Sequence, residues 1–314
     1  MGGILEFIGL RARWVLAVGV LAAFFMPGLS AALRPALGVL VALVFCAAMI
    51  RIDLREMARR LSRPGHLVSL VLWSVALMAV TPVLVWGATS LIGMRGEYQA
   101  AVIYMSLAPP ITSAAALCLI IGLDAVFALE LTVVASLLTP LIGPALAKVL
   151  LGEAVPIETH ALALRIAAMV LGGIVAVVVL RRLLGTERID RNARKFDGFS
   201  AIAMWLVVVA VLDGAEAQIR AEPEVAFGVF QLALVSNFSM QIIAAFLISF
   251  WATERAGAAG LMWGNRTVAL YLAALPNDPV FALYVAFFQV PMLFTPLVTG
   301  AFLRWADRRN AAPG

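Results

Sequence analysis

The chain has 314 residues, of which 63% are hydrophobic and only 13% charged, and its formal net charge is +5. A soluble domain carries about 25% charged residues, so this composition excludes an ordinary soluble globular protein. The positive charge does not indicate nucleic acid as a partner, because Lys and Arg lie in short loops between apolar blocks, as in membrane anchoring.

The apolar blocks are about 20 residues long, enough for an α-helix to cross about 30 Å of hydrocarbon. They predict an all-α polytopic membrane protein with ten transmembrane helices, numbered here as spans 1 to 10, and with the lipid bilayer as a partner. The predicted spans are about 14–32, 35–50, 66–93, 98–122, 124–151, 160–182, 196–215, 224–251, 255–275 and 278–304.

The charges in the loops test the number of spans and indicate the orientation. With a cytoplasmic N-terminus, the inside segments hold about 17 of the 23 Lys and Arg residues, including the basic clusters at 51–63 and 181–195. This bias follows the positive-inside rule. We therefore expect an integral protein of a bacterial inner membrane with cytoplasmic N- and C-termini. The segment from Asp53 to Arg63 is predicted to form a short amphipathic helix on the membrane surface.

The residues that usually carry enzymatic or metal chemistry are scarce. Cys46 and Cys118 lie inside apolar blocks without metal-site spacing, so neither a disulfide framework nor a zinc site is predicted. An intramembrane enzyme would need a nucleophile and a base in facing spans, whereas His66 and His160 lie at the edges of spans. We expect a protein that is not an enzyme and holds no cofactor.

A motif in the first half of the chain recurs in the second half. Asp-x-Val-Phe-Ala-Leu occupies 124–129 and 278–283, and Thr-Pro-Leu occupies 139–141 and 295–297, at offsets of 154 and 156 residues. Five spans per repeat is an odd number, so the second copy must insert upside down, as in many secondary transporters. The sequence thus predicts two inverted five-helix repeats, residues 1–152 and 153–314.

Each predicted repeat also has a polar interruption shortly before its Asp-x-Val-Phe motif. In span 4 the interruption is Pro109–Pro110, followed by Thr112 and Ser113, and in span 9 it is Gly264–Asn265. Proline removes a backbone donor and glycine weakens a helix. A broken span exposes backbone groups that must face protein or water, and the N-terminus of a half-helix can hold an anion. Two such breaks at corresponding places indicate a substrate site.

With these features the chain resembles the bile acid:sodium symporter family over nearly its whole length. The resemblance rests on ten spans, the repeat, the Pro-Pro break, the stretch from Gly122 to Asp124, and Asn265 in span 9. It implies a core domain in which spans 4 and 9 cross at their breaks, and a panel domain of flanking helices. It also implies organic anions as substrates and sodium as the coupling ion.

The family's sodium ligands fall mainly on residues without polar side chains. They fall on Ala114, Ala115, Ala128, Thr132, Gly260, Gly264 and Asn265. Only Thr132 and Asn265 keep the expected side chains, so a sodium ion is expected near these two if it binds at all. Because sodium prefers several oxygen ligands and a carboxylate, the lost ligands favour proton-coupled or sodium-independent transport.

Two charged residues lie within spans where the family pattern does not require them. Glu130 is in span 5 and Arg266 directly follows Asn265. Ionised groups at such places are costly unless they are paired, and so indicate function. Arg266 is predicted to supply a fixed positive charge that pairs with Glu130 or with the substrate, and Glu130 to couple transport to protons. Asn237 and Gln241 lie one turn apart and share a helix face. We expect these two residues either to line the cavity or to bond to a neighbouring helix.

The sequence therefore predicts a secondary active transporter of a small organic anion that works by alternating access. The alternative is a cation/proton antiporter or a channel on the same broken-helix plan. The predicted pathway residues are Pro109, Pro110, Thr112, Ser113, Glu130, Thr132, Asn237, Asn265 and Arg266.

Overall fold

The computed structural model describes residues 2–11, 19, 22, 25–50, 54–152, 158–276 and 278–308. Predicted span 1 therefore lies largely outside the described residues, as do Asp53 and Arg51. The described residues are predominantly helical and form no strand, and their β-type pairing is a single bridge between Pro110 and Arg266.

Sixteen described helical segments are numbered here in chain order. The first eight are α1 (Gly2–Leu10), α2 (Pro27–Met49), α3 (Leu54–Leu61), α4 (Pro64–Leu91), α5 (Gly96–Leu107), α6 (Ala114–Ile121), α7 (Ala125–Leu151) and α8 (Thr159–Leu184). The others are α9 (Thr186–Arg191), α10 (Ala193–Val211), α11 (Ala215–Ala221), α12 (Pro223–Ile248), α13 (Thr253–Gly264), α14 (Ala269–Ala274), α15 (Pro279–Val298) and α16 (Gly300–Arg308).

Among the described residues, seven helical stretches are long and apolar enough to cross a membrane. They are α2, α4, α7, α8, the stretch formed by α10 and α11, α12 and α15. The chain is thus an all-helical integral membrane protein, as the composition predicts. The number of ten spans, the inverted repeat and the orientation stay predictions.

The repeated Asp-x-Val-Phe motif starts a long helix in both halves of the chain. The Asp124 carboxylate accepts a hydrogen bond from the Phe127 N–H at the start of α7, and Asp278 accepts from Phe281 at the start of α15. Such an N-cap satisfies one of the free amides of a helix end. The two motifs therefore share a local structural role as well as a sequence.

The two predicted breaks are present as gaps between short helices. α5 ends at Leu107 and α6 begins at Ala114, and the proline pair lies in this gap. α13 ends at Gly264 and α14 begins at Ala269. The residues in both gaps are buried or half-buried, so their free backbone groups need partners within the protein.

Small residues allow the long helices to approach closely. α8 packs along α2 and α7, and α12 packs along α13 and α15. At Gly173 in α8, an added Cβ would lie 2.8 Å from Phe45 Cβ and 2.9 Å from the Ala42 carbonyl oxygen in α2. A Cβ added to the neighbouring Gly172 would meet no atom within 4 Å. Close helix contact through glycine is typical of membrane proteins.

We expect Gly173→Val to destabilise the protein, because the added methyl groups overpack the contact between α8 and α2, at a typical cost of about 1–3 kcal/mol. The matched control is Gly172→Val, which adds the same side chain one residue away into open space. Thermal unfolding in detergent should show a lower midpoint for Gly173→Val alone. Equal midpoints for the two variants would contradict this packing.

Candidate functional site

The two helix breaks contact each other through their backbones. The Ile111 N–H donates to the Asn265 carbonyl at 2.9 Å, and the Thr267 N–H donates to the Pro109 carbonyl at 2.8 Å. The Thr267 hydroxyl adds a bond of 2.9 Å to the Pro110 carbonyl. Each break thus supplies partners for backbone groups that the other leaves free, which makes both tolerable in a buried place.

Arg266 lies at this contact and is almost fully buried, with 1% of its surface exposed. Its guanidinium donates to the carbonyls of three segments: Trp263 at 2.8 Å, Ala108 at 2.9 Å and Leu77 at 3.3 Å. It also lies 6.0 Å from the centre of the Trp263 ring. The side chain therefore ties α13, the end of α5 and α4 together from the middle of the protein.

All three carbonyls are available because a helix is irregular beside them. In α4, residues Ala76–Val80 form a π-helical turn, so the Thr81 N–H bonds to the Ala76 carbonyl five residues back. The same register would pair the Leu77 carbonyl with Pro82, which has no N–H to donate. Arg266 donates to the Leu77 carbonyl in place of that missing N–H.

The other two carbonyls belong to the breaks themselves. A continuous helix would bond the Trp263 carbonyl to the Thr267 N–H, but this N–H donates to Pro109 instead. Ala108 is the residue that follows α5, so its carbonyl lies outside the helical ladder. The guanidinium, with its five donors in a planar fork, is suited to such a set of convergent acceptors.

A second buried network surrounds Asn265, and its members are fully buried. Asn237 in α12 donates to the Gly264 carbonyl at 2.8 Å and accepts from Gln241 at 2.6 Å. Gln241 also donates to Thr295 at 3.0 Å, and Thr295 donates to Asn265 Oδ1 at 3.2 Å. The network joins α12, α13 and α15, so Asn237 and Gln241 bond to neighbouring helices, one of the two roles predicted for them.

Two of the positions to which the resemblance assigns sodium ligands have no room for a longer side chain. A Cβ at Gly260 would lie 2.5 Å from Ala245 Cβ and 2.7 Å from the Gln241 carbonyl, so the place of the family's carboxylate is filled by α12. A Cβ at Gly264 would likewise meet Gln241 and the Asn237 carbonyl.

The two retained side chains already have protein partners. The Thr132 hydroxyl donates to the Ala128 carbonyl of its own helix at 2.7 Å, and the Asn265 amide donates to Leu261 at 3.0 Å. Both side chains therefore donate hydrogen bonds to the protein itself.

A cavity of about 520 Å³ opens on the other side of α6, within the usual volume range of small-molecule sites. Its polar lining residues are Glu56, Arg60, Thr112, Ser113, Glu130, Asp197 and Ser200. Its apolar lining comes from α2, α3, α6, α7 and α10. The cavity therefore lies between the first broken helix and its neighbours, and three predicted pathway residues line it.

The N-terminal end of α6 lies in the wall of this cavity. The first hydrogen bond that α6 closes runs from the Leu117 N–H to the Ser113 carbonyl. The amides of Ala115 and Ala116 come before that bond, and both residues line the cavity together with Thr112 and Ser113. Free amides and hydroxyls at a helix N-terminus form a favourable place for an anion.

Glu130 in α7 is a buried carboxylate in the same wall, 3% exposed. Its Oε2 lies 2.9 Å from His66 Nε2 at the start of α4, and its Oε1 lies 3.8 Å from Arg60 Nη1 in α3. Arg60 also pairs with Glu56 one turn before it, and this pair lowers the pKa of Glu56.

The structure brings together some of the predicted residues and separates others. Thr112, Ser113 and Glu130 share the cavity, whereas Arg266 and Asn265 lie behind α6 in the buried contact between the breaks. Glu130 and Arg266 have different protein partners, so the predicted pair between them is not observed, whereas pairing of Arg266 with a substrate stays a prediction. His66 and Arg60 are partners of Glu130 that the sequence does not predict, because each lies more than 60 residues from it along the chain.

A family model for the sodium bile acid symporter family matches residues 38–222, which is more than half of the chain. The matched segment includes the proline break and Glu130 and ends before Arg266. No curated protein matches the chain.

We expect Gly260→Glu to destabilise the protein without creating a sodium site, because α12 occupies the space that the side chain needs. Gly260→Ala is the matched control for the loss that the Cβ alone causes. Thermal midpoints should fall for both variants, and replacing potassium with sodium should leave all midpoints unchanged. A sodium-dependent rise in the midpoint of Gly260→Glu would show that the site still has room for the ion.

Proposed function

The chain belongs to the sodium bile acid symporter family, whose members are transporters rather than enzymes, and we propose that it transports a small organic anion. We further propose that this transport does not depend on sodium. The observation that carries the proposal is the cavity that ends on the N-terminus of a broken helix. Transport would proceed by alternating access, with the contact between the two breaks as the fixed centre.

The proposed anion site is the wall formed by residues 112–116. The hydroxyls of Thr112 and Ser113 and the amides of Ala115 and Ala116 are polar groups that a carboxylate or sulfonate can accept bonds from. The rest of the lining is largely apolar, including Met57, Leu119 and Met204. A substrate with an anionic end and an apolar body fits both parts.

Arg266 is the reason that we propose transport without sodium coupling. Its guanidinium supplies a cation to three carbonyls at the place where the two breaks meet. A side chain cannot leave in the transport cycle, whereas a coupling ion must bind and dissociate. The positive charge at the centre of the protein is then permanent and independent of the sodium concentration.

Acidic side chains in the cavity lining support a second candidate, a cation/proton antiporter. Among the described residues, the carboxylates of Glu56, Glu130 and Asp197 line the cavity together with the Arg60 guanidinium. In this case a cation would enter the cavity and displace protons. The two functions differ in the sign of the ligand charge, so the first experiment below separates them.

We expect organic anions to bind and to be transported equally well in sodium and potassium. The test uses taurocholate and benzoate with purified protein in detergent and in proteoliposomes. The double variant Thr112→Val/Ser113→Ala should weaken binding by about fivefold to 150-fold, because two lost hydrogen bonds contribute about 1–3 kcal/mol together.

The matched control for that double variant is Ser106→Ala in α5, whose hydroxyl bonds to the Ile103 carbonyl of its own helix. It removes a buried hydroxyl from the same broken span, outside the cavity lining. Uptake of either anion only in the presence of sodium would contradict sodium independence. Binding of cations and of neither anion would instead favour the antiporter.

We expect Arg266→Ala to lose transport and stability, because it leaves three buried carbonyls unpaired at about 1–3 kcal/mol each. Guanidinium ion at a low, non-denaturing concentration should restore part of both in this variant and neither in wild type. Urea at the same concentration is the control for denaturation. Full transport by Arg266→Ala without added guanidinium would show that the tethered cation is dispensable.

A further inference from the structure

An anion at the N-terminus of α6 would share the cavity with the buried carboxylate of Glu130. In such a confined space, charges of the same sign repel more strongly than in water. A positive charge that enters together with the anion removes this repulsion.

Glu130 is placed to accept such a charge in the form of a proton. Its carboxylate is buried, and among the described residues its Oε1 has no hydrogen-bond partner, with Arg60 Nη1 at 3.8 Å. Its Oε2 is in hydrogen-bond contact with His66 Nε2 at 2.9 Å. A protonated carboxyl is a donor at the atom that carries the proton. In the wall of the cavity it can then donate to an anion, which an ionised carboxylate cannot do.

His66 connects this carboxyl to the surface of the protein. Its side chain is 30% exposed, against 4% for Glu130. Imidazole carries a proton on one ring nitrogen and accepts one on the other, and so it can relay protons at neutral pH. The pair thus offers a route from solvent to a buried oxygen that faces the cavity.

We propose, on the basis of the anion transport proposed above, that the Glu130–His66 pair is a proton site of the transporter and that one proton enters with each monovalent anion. The proton passes from water to the His66 imidazole and from there to the Glu130 carboxylate, while the anion binds at the N-terminus of α6. Anion and proton together leave the net charge of the cavity unchanged. Release of the anion on the other side of the membrane returns the carboxylate to its ionised form.

Other charged groups surround this pair and influence its titration. They are Arg60 and Glu56 in α3, Asp124 at the start of α7, Asp197 in α10, and Arg255 in α13, which lies over the Phe127 ring. Among the described residues, Arg60 is the guanidinium that contacts Glu130, with its Nη1 at 3.8 Å from Oε1, and an anion bound in the cavity competes with Glu130 for it. This gives a physical reason for coupling between the two ligands.

The test measures the protons that the protein takes up when an anion binds. Taurocholate is titrated into the purified protein by calorimetry in two buffers with different ionisation enthalpies, near neutral pH. Its sulfonate stays ionised, so any proton taken up must go to the protein. We expect about one proton per anion for wild type. For Glu130→Gln, which mimics the protonated carboxyl, we expect no proton uptake and affinity that no longer depends on pH.

A second titrating carboxyl provides the control. Burial raises the pKa of Asp307 in α16 to about 6, although the Gly257 N–H donates to it. Titration of Asp307 would add its own pH dependence to the measured proton uptake. Asp307→Asn removes this titrating carboxyl, which does not line the cavity. We expect Asp307→Asn to take up the same number of protons with taurocholate as wild type does.

Uptake into proteoliposomes gives an independent readout that does not need a stable Glu130 variant. An imposed gradient that is acidic on the side of the added taurocholate should accelerate its uptake by wild type. His66→Gln should slow this response about tenfold or more while the number of protons per anion stays the same, because the relay is lost and the carboxyl is kept.

Two failures have different meanings. Anion binding by wild type without proton uptake and without a response to the gradient would overturn this inference and leave the proposed function standing. Equal proton uptake by wild type and Glu130→Gln would also overturn it. Binding of neither taurocholate nor benzoate at any pH would overturn the proposed function, and the inference with it.

Discussion

The guanidinium of Arg266 is the interaction on which the centre of this protein depends. Three helical segments are irregular next to this guanidinium, and each leaves a carbonyl without its ordinary donor. Within a membrane these carbonyls have no water to bond with, so each would cost several kcal/mol without a partner. One side chain serves all three. A buried charge is costly as well, but convergent carbonyl dipoles compensate for part of that cost.

The arrangement of the cavity wall depends on these three hydrogen bonds of Arg266. Because the breaks are held together from behind, the N-terminus of α6 can lie in the cavity wall with unused amides. The network of Asn237, Gln241, Thr295 and Asn265 fixes α12 and α15 against α13 in the same way. The side chains of Arg266 and of this network thus bond to the protein itself, whereas Glu130 and Arg60 lie on the cavity side. Under the proposed function, the first set supports the breaks and the second set faces the ligand.

Much of the fold could be predicted from local features of the sequence. The apolar blocks predict the long helices, and Pro109 with Gly264 predict the breaks, because proline and glycine act on the backbone next to them. The partners of Glu130 and Arg266 could not be predicted. His66 reads as a loop-edge residue, and the carbonyl of Leu77 gives no signal in the sequence. Such partners depend on how helices distant in the chain pack, and on a π-helical turn that the sequence does not announce.

The tethered cation also changes what the empty carrier can do. In an ion-driven symporter the ion must be taken from one side and released on the other, so the cycle has a charged and an uncharged central state. In the cycle proposed above, the Arg266 guanidinium stays at the contact between the breaks, so the charge there is the same with and without substrate. The step that distinguishes a productive return of the carrier from a futile one then lies at the cavity, in the proposed protonation of Glu130.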